Sequence, residues 1–162
     1  FKIEHTVAEP SYSGRDAIEF MLSANPGEPL RPLAKIASGG ELSRVMVAIK
    51  SATSSRSPIP IMVFDEVDVG IGGRTAGIVG EKLRTLARSA QVICITHLAQ
   101  IAVCADAQYA IRKQEDSGRT VVGIVRLDGE ERLEELARML SGQHVSDAVR
   151  DHIRQMLARR PE

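Results

Sequence analysis

The 162-residue chain contains no tryptophan, only two tyrosines and only three phenylalanines. A stacking platform for single-stranded nucleic acid needs aromatic faces and has little material here. Excess charge of one sign is missing too, because 21 Lys and Arg balance 21 Asp and Glu. A dedicated nucleic-acid module would be strongly basic, so only local patches such as Arg159-Arg160 remain. Cys94 and Cys104 are the only cysteines and lack metal-like CxxC spacing. They read as two buried thiols in a reducing cytosol, with no disulfide framework or zinc site. No apolar run reaches the ~18 residues of a membrane span, and no signal peptide is recognisable. Also missing is the Gly-rich loop ending in Gly-Lys-Ser/Thr that cradles nucleotide phosphates. The chain starts at Phe1 inside strand-like sequence, and the expectation is a fragment of a longer protein.

The length suits one domain with a sizeable core. Phe1 to Thr6 and Asp16 to Ala24 read as strands, followed by a turn at Asn25-Pro26-Gly27-Glu28-Pro29. A helical pattern covers Leu42 to Lys50, and Ser51 to Pro60 reads as a loop. Ile59 to Phe64 and Gln91 to Thr96 are buried-type strands, joined by a glycine-rich loop (Val67 to Gly73) and a helix over Thr75 to Ala87. Strand–helix–strand units make parallel pairs that bind ligands at their carboxyl ends. Leu98 to Asp106 is a short helix, and Tyr109 to Lys113 with Val121 to Leu127 form a hairpin around Glu115 to Gly118. Glu130 to Leu140 and Val145 to Leu157 are closing helices whose apolar spacing suits packing onto the sheet. The fold class expected is α/β.

Two features carry chemistry. Ser38-Gly39-Gly40-Glu41-Leu42-Ser43-Arg44 stands just ahead of a helical segment. It offers backbone N–H groups, a hydroxyl and a positive helix end to a phosphate, although Ser before Gly-Gly also simply caps a helix. The strand ending in Asp65-Glu66 and the strand followed by His97 bring three polar groups to one sheet edge. There a first carboxylate can hold Mg²⁺ through water, a second can polarise an attacking water, and a histidine can donate to a γ-phosphate.

In this order, the residues resemble the ABC-type ATPase head domain. Ala37-Ser38-Gly39-Gly40-Glu41 is similar to its signature motif, Ile61 to Glu66 to its Walker B strand with the catalytic glutamate, and Thr96-His97 to its switch histidine. Val69-Gly70-Ile71-Gly72 lies where the D-loop sits, without the usual Ala-Leu-Asp ending. Glu41 in place of Gln, and Asp65-Glu66-Val67-Asp68, lean toward the SMC and DNA-repair branch. The resemblance runs from about Phe20 to Leu140.

It implies the C-terminal lobe of an SMC-like head, with a P-loop NTPase-like parallel sheet, a terminal β-hairpin and two closing helices. Residues 1–36 lead into the signature, 37–128 hold the motif core and 129–162 form the closing helices. The Walker A lobe and a coiled coil would lie elsewhere in the full protein. Two heads would form an ATP-dependent homodimer around ATP and Mg²⁺. Ser38, Gly39, Gly40 and Glu41 would reach the γ-phosphate held by the opposite head, Asp65 would sit on the Mg²⁺ side, and Glu66 and His97 would be catalytic. Asp68, Gly70 and Gly72 would belong to the D-loop, with Asp68 pinning that loop or capping its turn. The implied role is ATP-modulated association with DNA ends in double-strand-break repair, in the cytoplasm and on the nucleoid, with no membrane partner. The fragment alone, lacking Walker A, would be inactive.

Several positions keep two readings. Glu41 also suits the helix dipole as a first-turn acid. Arg44 reads as solvated, as an interhead ion pair or as a nucleotide contact, and Gln100 is a weaker candidate for assisting the switch. His5, His144 and His152 read as isolated surface residues, and Lys82, Arg84 and Arg88 as a solvated helix face. Rival functions are a non-catalytic dimerisation module and an ABC transporter nucleotide-binding domain. The joint presence of Ser38, Glu66 and His97 opposes the first, and Glu41 with the Asn25-Pro26-Gly27 turn opposes the second.

Overall fold

The computed structural model describes residues 1–23, 27–35, 38–53, 59–116 and 119–159, with backbone alone for 114–116. In chain order the elements are β1 (Lys2–Ser11), β2 (Gly14–Leu22), β3 (Arg31–Pro32), a 3₁₀ turn (Leu33–Lys35), α1 (Gly39–Thr53), β4 (Ile61–Phe64), α2 (Gly73–Ala87), β5 (Gln91–Cys94), α3 (Ala99–Ala102), β6 (Gln108–Asp116), β7 (Arg119–Leu127), α4 (Gly129–Ser141) and α5 (Asp147–Ala158).

Branched apolar residues at 61–64 and 91–94 make β4 and β5, which pair in parallel with Phe64 opposite Cys94. The connecting helix α2 packs on one face of the pair. Met62 and Phe64 turn inward against Val47 of α1, Val79, Leu83 and Leu86 of α2, and Ile101 of α3. This is the expected α/β unit. The other strands form separate antiparallel sheets, β1-β2-β3 and the β6-β7 hairpin.

Several boundaries differ from the sequence reading. Helix α1 continues to Thr53, into the stretch read as a loop, and β5 ends at Cys94. Asn25 and Pro26, Ile36 and Ala37, and the hairpin turn at Ser117 and Gly118 lie outside the described residues. The closing helices pack elsewhere than expected. Leu133, Leu136 and Ala137 of α4 and Ile153 of α5 join Ala99, Ala102 and Val103 in a second core, separate from the one under the parallel strands. Amphipathic spacing gives the apolar stripe of a helix and says nothing of what meets it. Helix α4 stops at Gly142, whose φ of 76° suits a residue without Cβ. Ser146 then caps α5 by accepting from the Val149 N–H. Arg132 ties α4 back to the end of α3 by donating to the Ala102 carbonyl at 3.4 Å and to the Ala105 carbonyl just beyond it at 2.6 Å.

The two cores meet where α2 crosses α3. A Cβ on Gly80 would lie 2.8 Å from Cys104 Sγ and 3.1 Å from the Gln100 carbonyl oxygen. Gly80→Ala should therefore push the helices apart and destabilise the fold by about 1–3 kcal/mol. Urea denaturation of the variant reads this as a lowered midpoint, and an unchanged midpoint would show that the crossing can relax. Both cysteines are half-buried, less enclosed than the sequence suggested. Burial, with Asp68 and Asp65 adding their charge, pushes the Cys94 thiol up to about 12, so it stays protonated at neutral pH.

Candidate functional site

Parallel strands that start together also end together, so β4 and β5 deliver their following residues to one edge. The Ile95 N–H donates to the Phe64 carbonyl at 2.9 Å, and just past that bond the two chains diverge into Asp65-Glu66 and Thr96-His97. All three predicted side chains at this edge, Asp65, Glu66 and His97, are exposed. Asp65 Oδ1 accepts the Glu66 N–H at 2.8 Å, which turns the chain sharply. Among the described residues Glu66 is the only non-glycine with positive φ, at 58°. Such a conformation costs on the order of 1–3 kcal/mol and is found chiefly at functional sites.

The loop beyond is pinned from within. Val67 is fully buried and Asp68 nearly so. Asp68 Oδ2 accepts the Thr96 hydroxyl at 2.6 Å and the His97 N–H at 2.7 Å. It also lies 2.9 Å from His97 Nδ1 in an ion-pair contact. Burial works to raise the Asp68 pKa, but the Thr96 and His97 hydrogen bonds and the imidazole charge outweigh it and hold the carboxyl below its ordinary range. The Thr96 hydroxyl in turn accepts the Leu98 N–H at 3.1 Å, at the entry to α3. Asp68 thus ties the loop after β4 to the residues after β5, the loop-pinning alternative of its two sequence readings, with partners that spacing did not reveal. Gly70, with φ of 74°, and Gly72, extended ahead of α2, lie farther along the same loop.

Helix α1 brings the Ser-Gly-Gly element to this edge. Ser38 precedes its first turn, its carbonyl accepting the Leu42 N–H at 3.1 Å and its hydroxyl lying 3.5 Å from the Glu41 N–H. The Ser43 hydroxyl donates to the Asp65 carbonyl at 2.9 Å. A Cβ on Gly39 would stand 2.6 Å from Glu66 Oε2, and one on Gly40 would stand 2.9 Å from both Cβ and the carbonyl oxygen of Val69. The two glycines are what allow the helix end to approach the strand edge so closely. Arg44 is half-buried and makes a contact within the chain that its sequence readings did not include. Its Nη1 donates to the carbonyls of Val69 at 2.8 Å and Val67 at 3.3 Å, clasping α1 to the loop. A guanidinium bound to main-chain carbonyls leaves no mark in sequence spacing.

Outside this edge, Gln100 lies in α3 with its carbonyl close to Gly80. Lys82 on α2 and Arg88 just past its end are exposed, while Arg84 is half-buried. His5, read as isolated, pairs with Asp16 on the neighbouring strand at 2.6 Å. Cross-strand register places Val7 opposite Asp16, so the pair is diagonal and within reach of long side chains.

The edge combines a helix N-terminus, two exposed carboxylates and a histidine braced by a buried aspartate. Such a set can hold an anion, activate water and donate to developing negative charge.

Residues 33–120 match the family model described as the RecF/RecN/SMC N terminal domain. The chain is 46% identical over 159 residues to the DNA repair protein RecN of Vibrio cholerae, covering 97% of the chain and 29% of that relative. It is 51% identical over 152 residues to RecN of Deinococcus radiodurans, covering 94% of the chain and 26% of the relative. RecN of Streptomyces coelicolor is 49% identical over 145 residues, and the chain spans 25% of its length. The chain therefore spans little more than a quarter of the relatives it matches. Among solved structures, the Smc head domain with coiled coil and joint from Pyrococcus yayanosii superposes with a TM-score of 0.59 at 24% identity, over 83% of this chain and 25% of that one. A structure from work on ATP-driven dimerization and DNA-stimulated activation of SMC ATPases gives 0.53 at 22% identity, over 88% and 83% of the two chains. At these identities the superpositions establish the fold alone, that of an SMC head domain.

Proposed function

The chain belongs to the RecF/RecN/SMC family, and from that premise we propose that it forms the C-terminal lobe of an ATPase head. The head binds and hydrolyses ATP at a head–head interface and acts in recombinational repair of DNA double-strand breaks. The observation that carries this reading is the convergence of Asp65, Glu66, His97 and the α1 N-terminus at one strand edge.

The residues fit ATP and Mg²⁺. The first amides of α1 have no carbonyl one turn back, so an anion satisfies them. Asp65 is exposed and spends one oxygen on the Glu66 N–H, leaving acceptor capacity for a metal-bound water. Among the described residues no group of three or more His, Cys, Asp or Glu could hold a metal by itself. That suits Mg²⁺, which keeps its waters and takes the rest of its shell from carboxylate and phosphate. When bound, the cation would neutralise charge on the phosphates.

In this reading Glu66 accepts the proton of the water that attacks the γ-phosphorus, and the bond to the ADP oxygen breaks. His97 donates to the γ-phosphate oxygens as charge builds there. Ser38, Gly39 and Gly40, with Glu41 beside them, serve the nucleotide of the opposite head. Asp68, Gly70 and Gly72 form the loop between the two.

The parallel strands support a missing lobe of the same protein. Apolar side chains on both faces mark a strand covered on both sides, yet Ile61 and Val63 of β4, together with Ile93 of β5 and Ile95 just past it, are about half-exposed or more. A lobe carrying Walker A, joined to the parallel pair, would cover that face. Among the described residues no helix is long and apolar enough to cross a membrane. Placement in the cytoplasm and on the nucleoid, and association with DNA ends, follow from the repair role and belong to the full-length protein.

The test is ATP turnover by the full-length protein. Hydrolysis that stops on chelation of Mg²⁺ and on loss of the Glu66 carboxylate is expected. Turnover indifferent to both would refute the assignment.

A further inference from the structure

Asp68 is almost wholly buried and is held below its ordinary titration range. Its partners explain where it acts. One carboxylate oxygen, Oδ2, meets the Thr96 hydroxyl, the His97 main-chain N–H and the His97 ring at Nδ1. Thr96 and His97 follow β5, twenty-eight and twenty-nine residues further along the chain. The His97 side chain is otherwise 72% exposed. A ring with so little packing has no other described contact to set its orientation.

The contact also sets which nitrogen carries hydrogen. Nδ1 stands in ion-pair contact with a carboxylate oxygen at 2.9 Å, and the negative charge there favours the proton on Nδ1. Nε2 is then the nitrogen left for a ligand. In the neutral ring it carries a lone pair and repels a phosphate oxygen. Only the imidazolium can donate from Nε2 while Nδ1 faces Asp68, and the buried carboxylate balances that charge.

Resting on the ATPase reading above, we propose that Asp68 is the positioning residue of His97: it fixes the ring and its Nδ1 proton so that Nε2 meets the γ-phosphate as a cationic donor. Thr96 is the second anchor, holding the carboxylate in place from the same segment. The arrangement parallels outer carboxylates that orient a working histidine, whose loss costs about 10–100-fold.

The experiment is a double-mutant cycle on kcat and KM of ATP hydrolysis by the full-length protein, with Glu66→Gln run in the same series. Asp68→Asn keeps the shape and removes the charge. It should lower kcat about 10–100-fold with little change in KM. In a His97→Gln background the same change should have almost no further effect, because the group it acts through is gone. A structural role would instead lower activity equally in both backgrounds, and that result overturns the proposal, as does unchanged kcat in Asp68→Asn. A readout that needs no nucleotide is solid-state ¹⁵N NMR of the full-length protein labelled at histidine, with His97 assigned by its loss in His97→Gln. Protonated Nδ1 supports the proposal and unprotonated Nδ1 refutes it. If Glu66→Gln retains full turnover, the ATPase reading fails. If Glu66→Gln is inactive but the cycle is additive, only the Asp68 inference fails.

Discussion

Glu66→Gln in the full-length protein should lower ATP turnover by about 10²–10⁴-fold, the usual worth of a positioned general base. It should do so without weakening nucleotide binding, because the side chain keeps its shape and the phosphate-holding groups are untouched. Two heads that bind ATP and cannot hydrolyse it should then accumulate as a dimer. Size-exclusion chromatography with light scattering, with and without ATP, reads that outcome. The position makes the effect large. Glu66 is held at φ 58° by the bend that Asp65 imposes through its Oδ1. Strain of this kind is tolerated where surrounding structure enforces it and function benefits. Gly39 has no Cβ to displace the Glu66 carboxylate. A variant that still turned over ATP at the parent rate would remove Glu66 from the chemistry.

The second large effect concerns the chain by itself. Without a Gly-rich loop ending in Gly-Lys-Ser/Thr, it lacks the element that encloses the α- and β-phosphates, so its ATP hydrolysis should lie far below the ~1 s⁻¹ of an ordinary slow enzyme. Supplying the remainder of the protein in trans should restore turnover and cover the exposed face of Ile61, Val63, Ile93 and Ile95. Mutating Val63 to Asp should block that restoration while leaving the inward-facing Met62 and Phe64 in place. Turnover by the isolated chain at a typical enzyme rate would contradict the division into lobes.

The strand-edge site was legible because it follows from topology. An apolar run ending in Asp65-Glu66, a helix, and a second run followed by His97 can hardly place those groups anywhere but together. Asp68 was harder. Its partners Thr96 and His97 are remote in sequence, and no local pattern marks a buried carboxylate that braces a histidine. Arg44 escaped for a different reason, since it binds the carbonyls of Val67 and Val69, groups that every residue has. The closing helices showed their apolar stripes, but their partner is α3 and each other, and periodicity carries no address. The outward residues of β4 and β5 were read as buried because their sequence is apolar on both faces. That reading describes a sheet with both sides covered, and this chain supplies one side.

Gly39 lies close to Glu66 of its own chain, so the central claim, that Ser38 and its glycines serve the nucleotide of the neighbouring head, has a same-head rival. The most direct measurement mixes two inactive full-length proteins, one carrying Ser38→Arg and the other Glu66→Gln. If the signature acts across the interface, each mixed dimer holds one site with an intact Ser38 and an intact Glu66, and turnover should reappear on mixing. If Ser38 serves the nucleotide of its own head, every site in the mixture carries a defect, and the mixture should stay as inactive as its parts.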